Sequence, residues 1–177
     1  MLKLNLGCGK KRLEGFVNID CAAQCEPDVV LNLGWDRLPY PNGSVDEIRA
    51  THVLEHIDDL SYLMQECHRV LIQDGLFRIT VPHHCSDGFW GDPTHVRPIT
   101  AAGLALYSKT KCDEAEAKGW ANTPLAYYLD IDFEIDAIHL DLHPAWKDKA
   151  MDKANLEHCI RSYNNVVNEV SFVLRKV

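Results

Sequence analysis

The chain has 177 residues, of which 46% are hydrophobic and 25% charged, a composition typical of one globular domain with a sizeable core. Its formal net charge of −8 would repel a nucleic-acid backbone, so we expect no nucleic-acid partner. No apolar run approaches the roughly 18 residues that a membrane span requires, which predicts that the chain does not cross a membrane.

The start of the chain and its cysteines indicate a cellular compartment. The first apolar strand precedes the basic cluster Lys10-Lys11-Arg12, the reverse of the order in a secretory signal peptide, so we expect no export. The seven cysteines are odd in number and include no Cys-x-x-Cys pair. We therefore expect reduced cysteines and a cytoplasmic protein. The oligomeric state has no signal in the sequence.

Strand and helix patterns alternate along the chain, which predicts a mostly parallel sheet with helices on its faces. Only nine residues, 7–15, separate the first two strands, so any helix near residues 10–13 has one or two turns. The clearest helix covers residues 60–71, where apolar residues recur at helical spacing after Asp58-Asp59 and before Gly75. In chain order we predict strands at 2–6, 16–19, 29–33, 45–50 and 76–81, a helix at 100–107, a strand at 133–142, a helix at 145–163 and a strand at 166–177.

A glycine loop and an acid form the first functional signal. Gly7 and Gly9 follow the first strand, where residues without a Cβ allow a sharp turn and let a ligand lie against the backbone. Asp20 closes the second strand at the same edge of the sheet, where a carboxylate can accept hydrogen bonds from ribose hydroxyls. The pattern indicates a nucleoside-containing cofactor, although a Gly-x-Gly pair by itself is also compatible with a simple tight turn.

Five segments in order resemble the class I S-adenosylmethionine-dependent methyltransferases, in particular small members of the methyltransferase type 11 kind. They are residues 4–9 (LNLGCG), Asp20, residues 38–46 (LPYPNGSVD), residues 51–56 (THVLEH), and residues 68–71 (HRVL) with 74–76 (DGL). The resemblance implies an α/β fold of the Rossmann-like, doubly wound type. Its three α/β/α layers would enclose a mostly parallel seven-stranded sheet with an antiparallel last strand, in a single domain over residues 1–177.

The resemblance also implies the cofactor and its contacts. S-adenosyl-L-methionine would be the methyl donor and S-adenosyl-L-homocysteine the product, with the ribose on Asp20. The glycine loop would hold the amino-acid part, the end of the third strand would hold adenine, and the residues after the fourth strand would close the methionine side. The residues expected to contact the cofactor are Leu6, Gly7, Cys8, Gly9, Asp20, Cys21, Leu33, Gly34, Trp35, Thr51, His52 and His56.

Two positions depart from the family pattern. The family commonly has an acid where Asn5 stands and a third glycine where Lys11 stands. With the short first crossover, these departures indicate a pared-down member. They leave open a catalytically degenerate module that binds S-adenosylmethionine or a partner. A nicotinamide-dependent oxidoreductase is a further alternative, because such enzymes also begin with a strand, a glycine loop and an acid.

Residues 83–126 follow the fifth strand at the carboxyl edge of the sheet, where such folds bind substrates, and are predicted to form the substrate-side region. Methyl transfer requires the acceptor and the methyl group to be held in line, and a hydroxyl or ammonium acceptor also requires a base. Histidine suits that task, since its ordinary pKa is about 6.5. We predict a small-molecule acceptor with an oxygen or nitrogen nucleophile, His95, His84 and Asp92 as catalytic residues, and His83, Trp90 and Arg97 as substrate-binding residues.

A metal site is the alternative role for these histidines. His83, His84 and His95 would make a familiar zinc set, and His52 and His56 have the spacing of a helical metal pair. However, adjacent histidines in an extended segment are expected to point apart, and no acid or cysteine at a typical spacing completes the set. The sequence therefore predicts no metal site.

Overall fold

The computed structural model describes residues 1–147, 149 and 152–177 and contains a seven-stranded mixed sheet. The strands have the spatial order β3-β2-β1-β4-β5-β7-β6. Their bounds are β1 Lys3–Leu6, β2 Val17–Asp20, β3 Val29–Val30, β4 Val45–Thr51, β5 Leu71–Pro82, β6 Phe133–Leu142 and β7 Val167–Lys176.

The pairing of the strands brings three chain segments to one edge of the sheet. β1 is parallel to β2 and β4, and Leu6 is in register with both Ile19 and Ala50. The residues that follow, Gly7, Asp20 and Thr51, are therefore neighbours at the carboxyl edge. β7 is antiparallel to both β5 and β6, which confirms the predicted antiparallel last strand and the Rossmann-like fold.

One long helix packs where the periodicity predicted it. α1 covers Leu60–Val70, and the side chain of Asp59 caps it by accepting a hydrogen bond from the backbone N–H of Tyr62 at 2.9 Å. None of the described helices is long and apolar enough to cross a membrane. The remaining helices are α2 Asp87–Trp90, α3 Ala101–Ala105, α4 Lys109–Ala117, α5 Leu125–Leu129, α6 Pro144–Lys147 and α7 Lys153–Ser162.

The first crossover contains no helix, not even the one or two turns that its length allowed near residues 10–13. Two buried asparagines take its place. The Asn5 amide donates to Oδ1 of Asn18 at 2.9 Å and to the Lys11 carbonyl at 3.2 Å. Asn18 in turn accepts from the backbone N–H of Leu13 at 2.8 Å. Side-chain amides therefore satisfy the polar backbone groups that a helix would have satisfied internally.

This crossover also has an outer ion pair. The guanidinium of Arg12 binds the carboxylate of Asp28 and the carbonyl of Glu26. Asp28 also accepts from the backbone N–H of Asn18 at 2.7 Å, and hydrogen bonds from Asn18, followed by that from Arg12, lower its pKa to about 2. The crossover is thus held by side chains from its two ends.

Several predicted elements have different bounds in the structure, among them β3, β5 and the helix predicted at 145–163. β3 has two residues instead of five, because the chain turns at Asn32, whose carbonyl accepts from the backbone N–H groups of Trp35 and Asp36. β5 begins at Leu71, directly after α1, since Leu71 pairs with Val45 across an irregular register. The helix predicted at 145–163 is two helices, α6 and α7, and residues 148, 150 and 151 lie outside the described residues.

The core fills the space between the sheet and its helices. Phe77, Phe133 and Phe172 are its largest fully buried side chains and come from β5, β6 and β7. The apolar face of α1 supplies Leu63 and Met64. Burial of this apolar surface fixes the carboxyl edge of the sheet as a rigid platform for the loops above it.

Candidate functional site

Two glycines shape the loop that follows β1. Gly7 and Gly9 have φ angles of +59° and +48°, in the left-handed region that favours glycine. A Cβ atom on Gly7 would lie 2.4 Å from Cγ2 of Val53, whereas a Cβ atom on Gly9 would have no described protein atom within 4 Å. Gly7 is therefore required by packing as well as by backbone geometry, and the space beside Gly9 is open.

The carboxylate of Asp20 lies against this loop. Asp20 is only 9% exposed; its Oδ2 accepts from the backbone N–H of Gly9 at 2.7 Å, and its Oδ1 accepts from that of Ala22 at 2.9 Å. A carboxylate offers about four lone-pair sites, so two acceptor sites remain for a ligand. The acid predicted from the sequence thus joins the second strand to the glycine loop and keeps hydrogen-bonding capacity.

A cleft of about 270 Å³, here called the Asp20 cleft, opens beside this carboxylate. Its walls are partly apolar, which suits a nucleoside base, and partly polar, which suits a ribose. Six predicted cofactor residues line it: Gly7, Asp20, Cys21, Leu33, His52 and His56. Four further residues line it without having been predicted: Leu31, Asn32, Val53 and Ile57.

Gly34 and Trp35 do not line the Asp20 cleft. Gly34 is buried, and its backbone N–H donates to Oδ1 of Asn32 at 3.2 Å. Trp35 is 71% exposed. β3 ends early, and the chain turns away from the cleft after Leu33. Of the three residues predicted beside adenine, Leu33 lines the cleft and the other two do not. Contact of Gly34 and Trp35 with a cofactor stays a prediction.

The glycine-loop cavity, of about 400 Å³, adjoins the Asp20 cleft at Gly7 and His52. Predicted residues Cys8, Gly9 and Thr51 line it, together with Asn5, Lys10, Lys11 and Leu13, which were not predicted. Leu6 has no exposed surface and belongs to the core. Burial raises the pKa of the Cys8 thiol, with the Asp20 carboxylate as a further cause.

His52 is shared by both of these cavities and by a third. Its φ of +55° is unusual for a non-glycine residue, and this kind of backbone strain concentrates at functional sites. Nε2 lies 3.0 Å from Oε1 of Glu169, and Nδ1 lies 3.5 Å from Oε1 of Glu55. The carboxylate of Glu55, and then that of Glu169, raises the pKa of His52 against the opposing effect of burial.

The third and largest opening, the histidine cavity, has a volume of about 760 Å³. It shares His52 and His56 with the Asp20 cleft, so a ligand in that cleft would face a second molecule across these two imidazoles. Its other lining residues come from the loop after β5 and from two segments near β6 and β7: Pro82, Ser86, Asp87, Gly88, Asp92, His95, His143, Ala145, Trp146, Asn164, Asn165, Asn168 and Glu169.

His95 and Asp92 are the two predicted catalytic residues that line this cavity. Nδ1 of His95 lies 2.6 Å from the carbonyl oxygen of Phe89, which fixes Nδ1 as the protonated nitrogen. Nε2 then carries the lone pair and lies 4.0 Å from Oδ2 of Asp92. Hydrogen bonds from Thr94 lower the pKa of Asp92, so this carboxylate is held ionised.

The adjacent histidines His83 and His84 do not point apart, so the expectation of an extended geometry there is wrong. Their ring centroids are 4.1 Å apart, because the chain turns after β5 and the backbone N–H of Ser86 donates to the carbonyl of His83. His83 is buried, which lowers its pKa to about 4, while His84 is exposed. Neither lines the histidine cavity, and their roles stay predictions.

Trp90 and Arg97 flank the histidine cavity without lining it. The indole Nε1–H of Trp90 donates to the carbonyl of His84 at 3.0 Å, and the ring is 73% exposed. The guanidinium of Arg97 donates to the carbonyls of Ile57 and Asp58 at 2.6 and 2.7 Å. These bonds join the loop after β5 to the turn after β4. Recognition of a substrate by Trp90 or Arg97 stays a prediction.

Several residues that line the cavities were not predicted from the sequence. Val53 and Ile57 flank the predicted His52 and His56 and were detectable as apolar neighbours of polar residues. Trp146 and Glu169 reach the histidine cavity only because β6 and β7 pair and return the chain to the carboxyl edge of β5. Such contacts between distant segments leave no local pattern.

The fold is shared with solved methyltransferase structures. An S-adenosylmethionine-dependent methyltransferase from Archaeoglobus fulgidus superposes with a TM-score of 0.65 at 18% identity, covering 98% of this chain and 85% of that one. Geranyl diphosphate C-methyltransferase from Streptomyces coelicolor, crystallised with Mg²⁺, geranyl diphosphate and S-adenosyl-L-homocysteine, superposes with a TM-score of 0.54 at 16% identity, covering 99% and 71%. At sequence identities of 16% and 18%, these superpositions show a shared fold.

Sequence similarity covers part of the chain. Residues 16–79, less than half of the chain, match the family model described as a methyltransferase domain. A segment is 34% identical over 83 residues to a protein of Mycolicibacterium smegmatis named as a probable S-adenosylmethionine-dependent methyltransferase. That segment covers 45% of this chain and 32% of the relative, so the match spans about a third of the relative's length. Over these segments the chain is similar to S-adenosylmethionine-dependent methyltransferases.

The similarity to S-adenosylmethionine-dependent methyltransferases makes S-adenosyl-L-methionine the candidate cofactor, and the geometry of the two cavities fits it. Asp20 keeps two acceptor sites for ribose hydroxyls, the space beside Gly9 is open, and Leu33, Val53 and Ile57 supply an apolar wall. Nine of the twelve residues expected to hold the cofactor therefore line two adjoining cavities at the carboxyl edge of the sheet.

Proposed function

We propose that this protein transfers a methyl group from S-adenosyl-L-methionine to a small-molecule acceptor with an oxygen or nitrogen nucleophile. The observation that carries this proposal is the sharing of His52 and His56 between the Asp20 cleft and the histidine cavity. Donor and acceptor bound in these two spaces would lie side by side next to His52 and His56, and an in-line displacement requires such neighbouring, aligned binding. The bound cofactor supplies an activated methyl group on a sulfonium.

The Asp20 cleft and the glycine-loop cavity are the proposed cofactor site. Asp20 would accept hydrogen bonds from both ribose hydroxyls, and the loop at Gly7 and Gly9 would hold the amino-acid part against its backbone. Thr51 would close the methionine side from the end of β4. Leu33, with Val53 opposite, would enclose the adenine.

The histidine cavity is the proposed acceptor site. Nε2 of His95 carries its lone pair into this cavity and would receive the proton of a hydroxyl or ammonium acceptor. The ionised Asp92 carboxylate, 4.0 Å away, would stabilise the imidazolium that forms. His84 is exposed outside the cavity, so its proposed catalytic role would require the acceptor to extend beyond the lining residues.

The substrate-side region is proposed to begin at residue 83, within a single domain over residues 1–177. Ser86, Asp87 and Gly88 line the histidine cavity together with Asp92 and His95. His83, Trp90 and Arg97 would act behind this lining by fixing the loop. His83 and Trp90 bond to the backbone of the loop itself, and Arg97 bonds to the carbonyls of Ile57 and Asp58 in the turn after β4.

Calorimetric titration with S-adenosyl-L-homocysteine tests the cofactor site. In Asp20→Asn, one charged acceptor becomes neutral, and we expect the affinity to fall about 10- to 100-fold, the equivalent of about 1.5–3 kcal/mol for a hydrogen bond to a charged group. Asp28→Asn is the matched control, since Asp28 holds the first crossover outside both proposed cofactor cavities. We expect it to lower stability and leave the affinity unchanged.

Two outcomes contradict the proposal. Unchanged affinity in Asp20→Asn would remove this carboxylate from the site. Tight binding of NADH without binding of S-adenosyl-L-homocysteine would favour the oxidoreductase alternative. That alternative has less support, because no helix lies between Gly9 and the start of β2 at Val17. A pyrophosphate would therefore lack the helix N-terminus that such enzymes use.

A further inference from the structure

Glu55 is a buried acid that the proposed reaction does not use. Its side chain has no exposed surface, and neither carboxylate oxygen has a hydrogen-bond partner among the residues that the structure describes. The nearest cation is the imidazole of His52, whose Nδ1 lies 3.5 Å from Oε1, an ion-pair distance longer than a hydrogen bond. An unsatisfied buried carboxylate is costly and requires a ligand or partner to compensate it.

Two histidines share the space in front of this carboxylate. Ligand atoms of Glu55, His56 and His95 all lie within 4.8 Å of one another, and the ring centroids of the two histidines are 4.6 Å apart. The turn after β4 supplies Glu55 and His56. The loop after β5 supplies His95 and is anchored there by a backbone bond from Val96 N–H to the Glu55 carbonyl at 2.8 Å.

The second nitrogen of each histidine is already oriented. Nδ1 of His95 bonds to the Phe89 carbonyl at 2.6 Å, and Nδ1 of His56 lies 3.0 Å from Oγ1 of Thr94. Both Nε2 atoms are therefore left for a ligand. This arrangement is the one found around metal-binding histidines, in which a backbone or side-chain oxygen fixes the tautomer through the other ring nitrogen.

We propose that Glu55, His56 and His95 bind a divalent transition-metal ion, with Zn²⁺ as the best match. Two imidazole nitrogens and one carboxylate oxygen are ligands that Zn²⁺ prefers, and three protein ligands leave a coordination position open. Ligand atoms about 2.0–2.2 Å from the ion lie closer together than the present upper bound of 4.8 Å, so modest side-chain rotations would close the site.

The open position would face the histidine cavity, which His56 and His95 both line. In that respect the inference rests on the proposed function, because a bound acceptor hydroxyl would complete the coordination, and the ion would lower its pKa so that its proton passes to solvent in the cavity. His95 Nε2 cannot bind an ion and accept a proton at once. In the metal-loaded protein, His95 is therefore a ligand, and the ion rather than the imidazole activates the acceptor.

Titration of the full chain with Zn²⁺, after removal of metals by a chelator and in the presence of a reductant, tests the site. We expect one ion per chain, with binding lost in Glu55→Gln and His95→Gln. Thr94→Val leaves the three ligands in place and removes the bond to His56, so we expect an affinity about 10- to 100-fold lower. Circular dichroism on each variant separates loss of binding from loss of folding.

Cys85→Ser is the matched control, because His83, His84 and Cys85 also bring ligand atoms within 4.8 Å of one another. We expect unchanged Zn²⁺ affinity in this variant and, with Co²⁺ as the probe, a spectrum without thiolate coordination. Wild-type protein that binds no Zn²⁺, folded Glu55→Gln that binds as well as wild type, or loss of binding in Cys85→Ser would each overturn the proposal.

The cofactor proposal is tested separately in the same preparation. S-adenosyl-L-homocysteine is titrated into the metal-free protein, since Asp20, the proposed ribose ligand, is not among the three proposed metal ligands. Binding of S-adenosyl-L-homocysteine without binding of Zn²⁺ rejects the metal site alone. Binding of Zn²⁺ without binding of S-adenosyl-L-homocysteine rejects the proposed function and keeps the metal site.

Discussion

Alanine substitutions at Gly7 and Gly9 distinguish a glycine that is required by packing from a glycine that leaves space for a ligand. Gly7 and Gly9 both have positive φ angles, so Ala at either position costs about 1–2 kcal/mol from backbone strain. At Gly7 the new methyl group would also lie 2.4 Å from Cγ2 of Val53, a distance at which something must move. Overpacking of this kind costs a further 1–3 kcal/mol or so. We expect Gly7→Ala to destabilise the fold by about 2–5 kcal/mol, and Gly9→Ala by only about 1–2 kcal/mol.

Urea unfolding and calorimetric titration with S-adenosyl-L-homocysteine measure the two effects. Despite its milder effect on stability, Gly9→Ala fills the open space beside the loop, so we expect its affinity for S-adenosyl-L-homocysteine to fall at least about 10-fold. The double variant Gly7→Ala/Val53→Ala removes the contact with the valine methyl. It should therefore be more stable than the sum of the single effects by about 1–3 kcal/mol.

Two results would refute this reasoning. Equal destabilisation by Gly7→Ala and Gly9→Ala would show that Val53 does not constrain the loop. Wild-type affinity in a folded Gly9→Ala would show that the cofactor does not lie against Gly9, and the glycine-loop cavity would lose its proposed role.

Two further changes test the structure around the site. His83, with its pKa lowered to about 4, stays neutral in the fold while the unfolded chain gains a proton near pH 6.5; stability therefore falls as the pH drops from about 6.5 towards 4. In urea unfolding, His83→Asn should reduce the loss between pH 7 and pH 5 by about 1–2 kcal/mol, and an unchanged pH dependence would contradict the buried neutral state. Asn5→Asp installs the acid common in the family but replaces the amide that donates to the Lys11 carbonyl, so we expect a loss of about 1–3 kcal/mol in the same assay; a stability gain would show that the crossover does not need this amide.

Much of the fold could be predicted because its signals are local. The helix at α1 has an apolar stripe and the Asp59 cap in its own sequence, and its predicted bounds of 60–71 differ by one residue from the observed Leu60–Val70. β6 has the predicted bounds of Phe133–Leu142. The glycine loop and Asp20 were also identifiable, since a strand, two glycines and an acid after the next strand lie within twenty residues of each other. The antiparallel last strand followed from the family resemblance.

The features that the sequence did not reveal depend on side chains that meet across the fold. The crossover after β1 has no helix because Asn5 and Asn18, thirteen residues apart, replace its hydrogen bonds. β3 stops after two residues because the turn at Asn32 uses the backbone groups that a longer strand would pair. In both cases a polar residue competes with regular backbone hydrogen bonding, and secondary-structure propensity alone does not show which hydrogen bonds form.

The sequence by itself determined the glycine loop, the acid beside it and the alternation of strands and helices, since each of these is encoded by neighbouring residues. Only the tertiary structure decided which of the nine histidines meet. His52, His56 and His95 come together because the turn after β4 and the loop after β5 are joined by backbone and guanidinium bonds, whereas the exposed His84 is turned away. The buried carboxylate of Glu55 has His52 and His56 as near neighbours in the sequence, and long-range packing of the loop after β5 adds His95 to them.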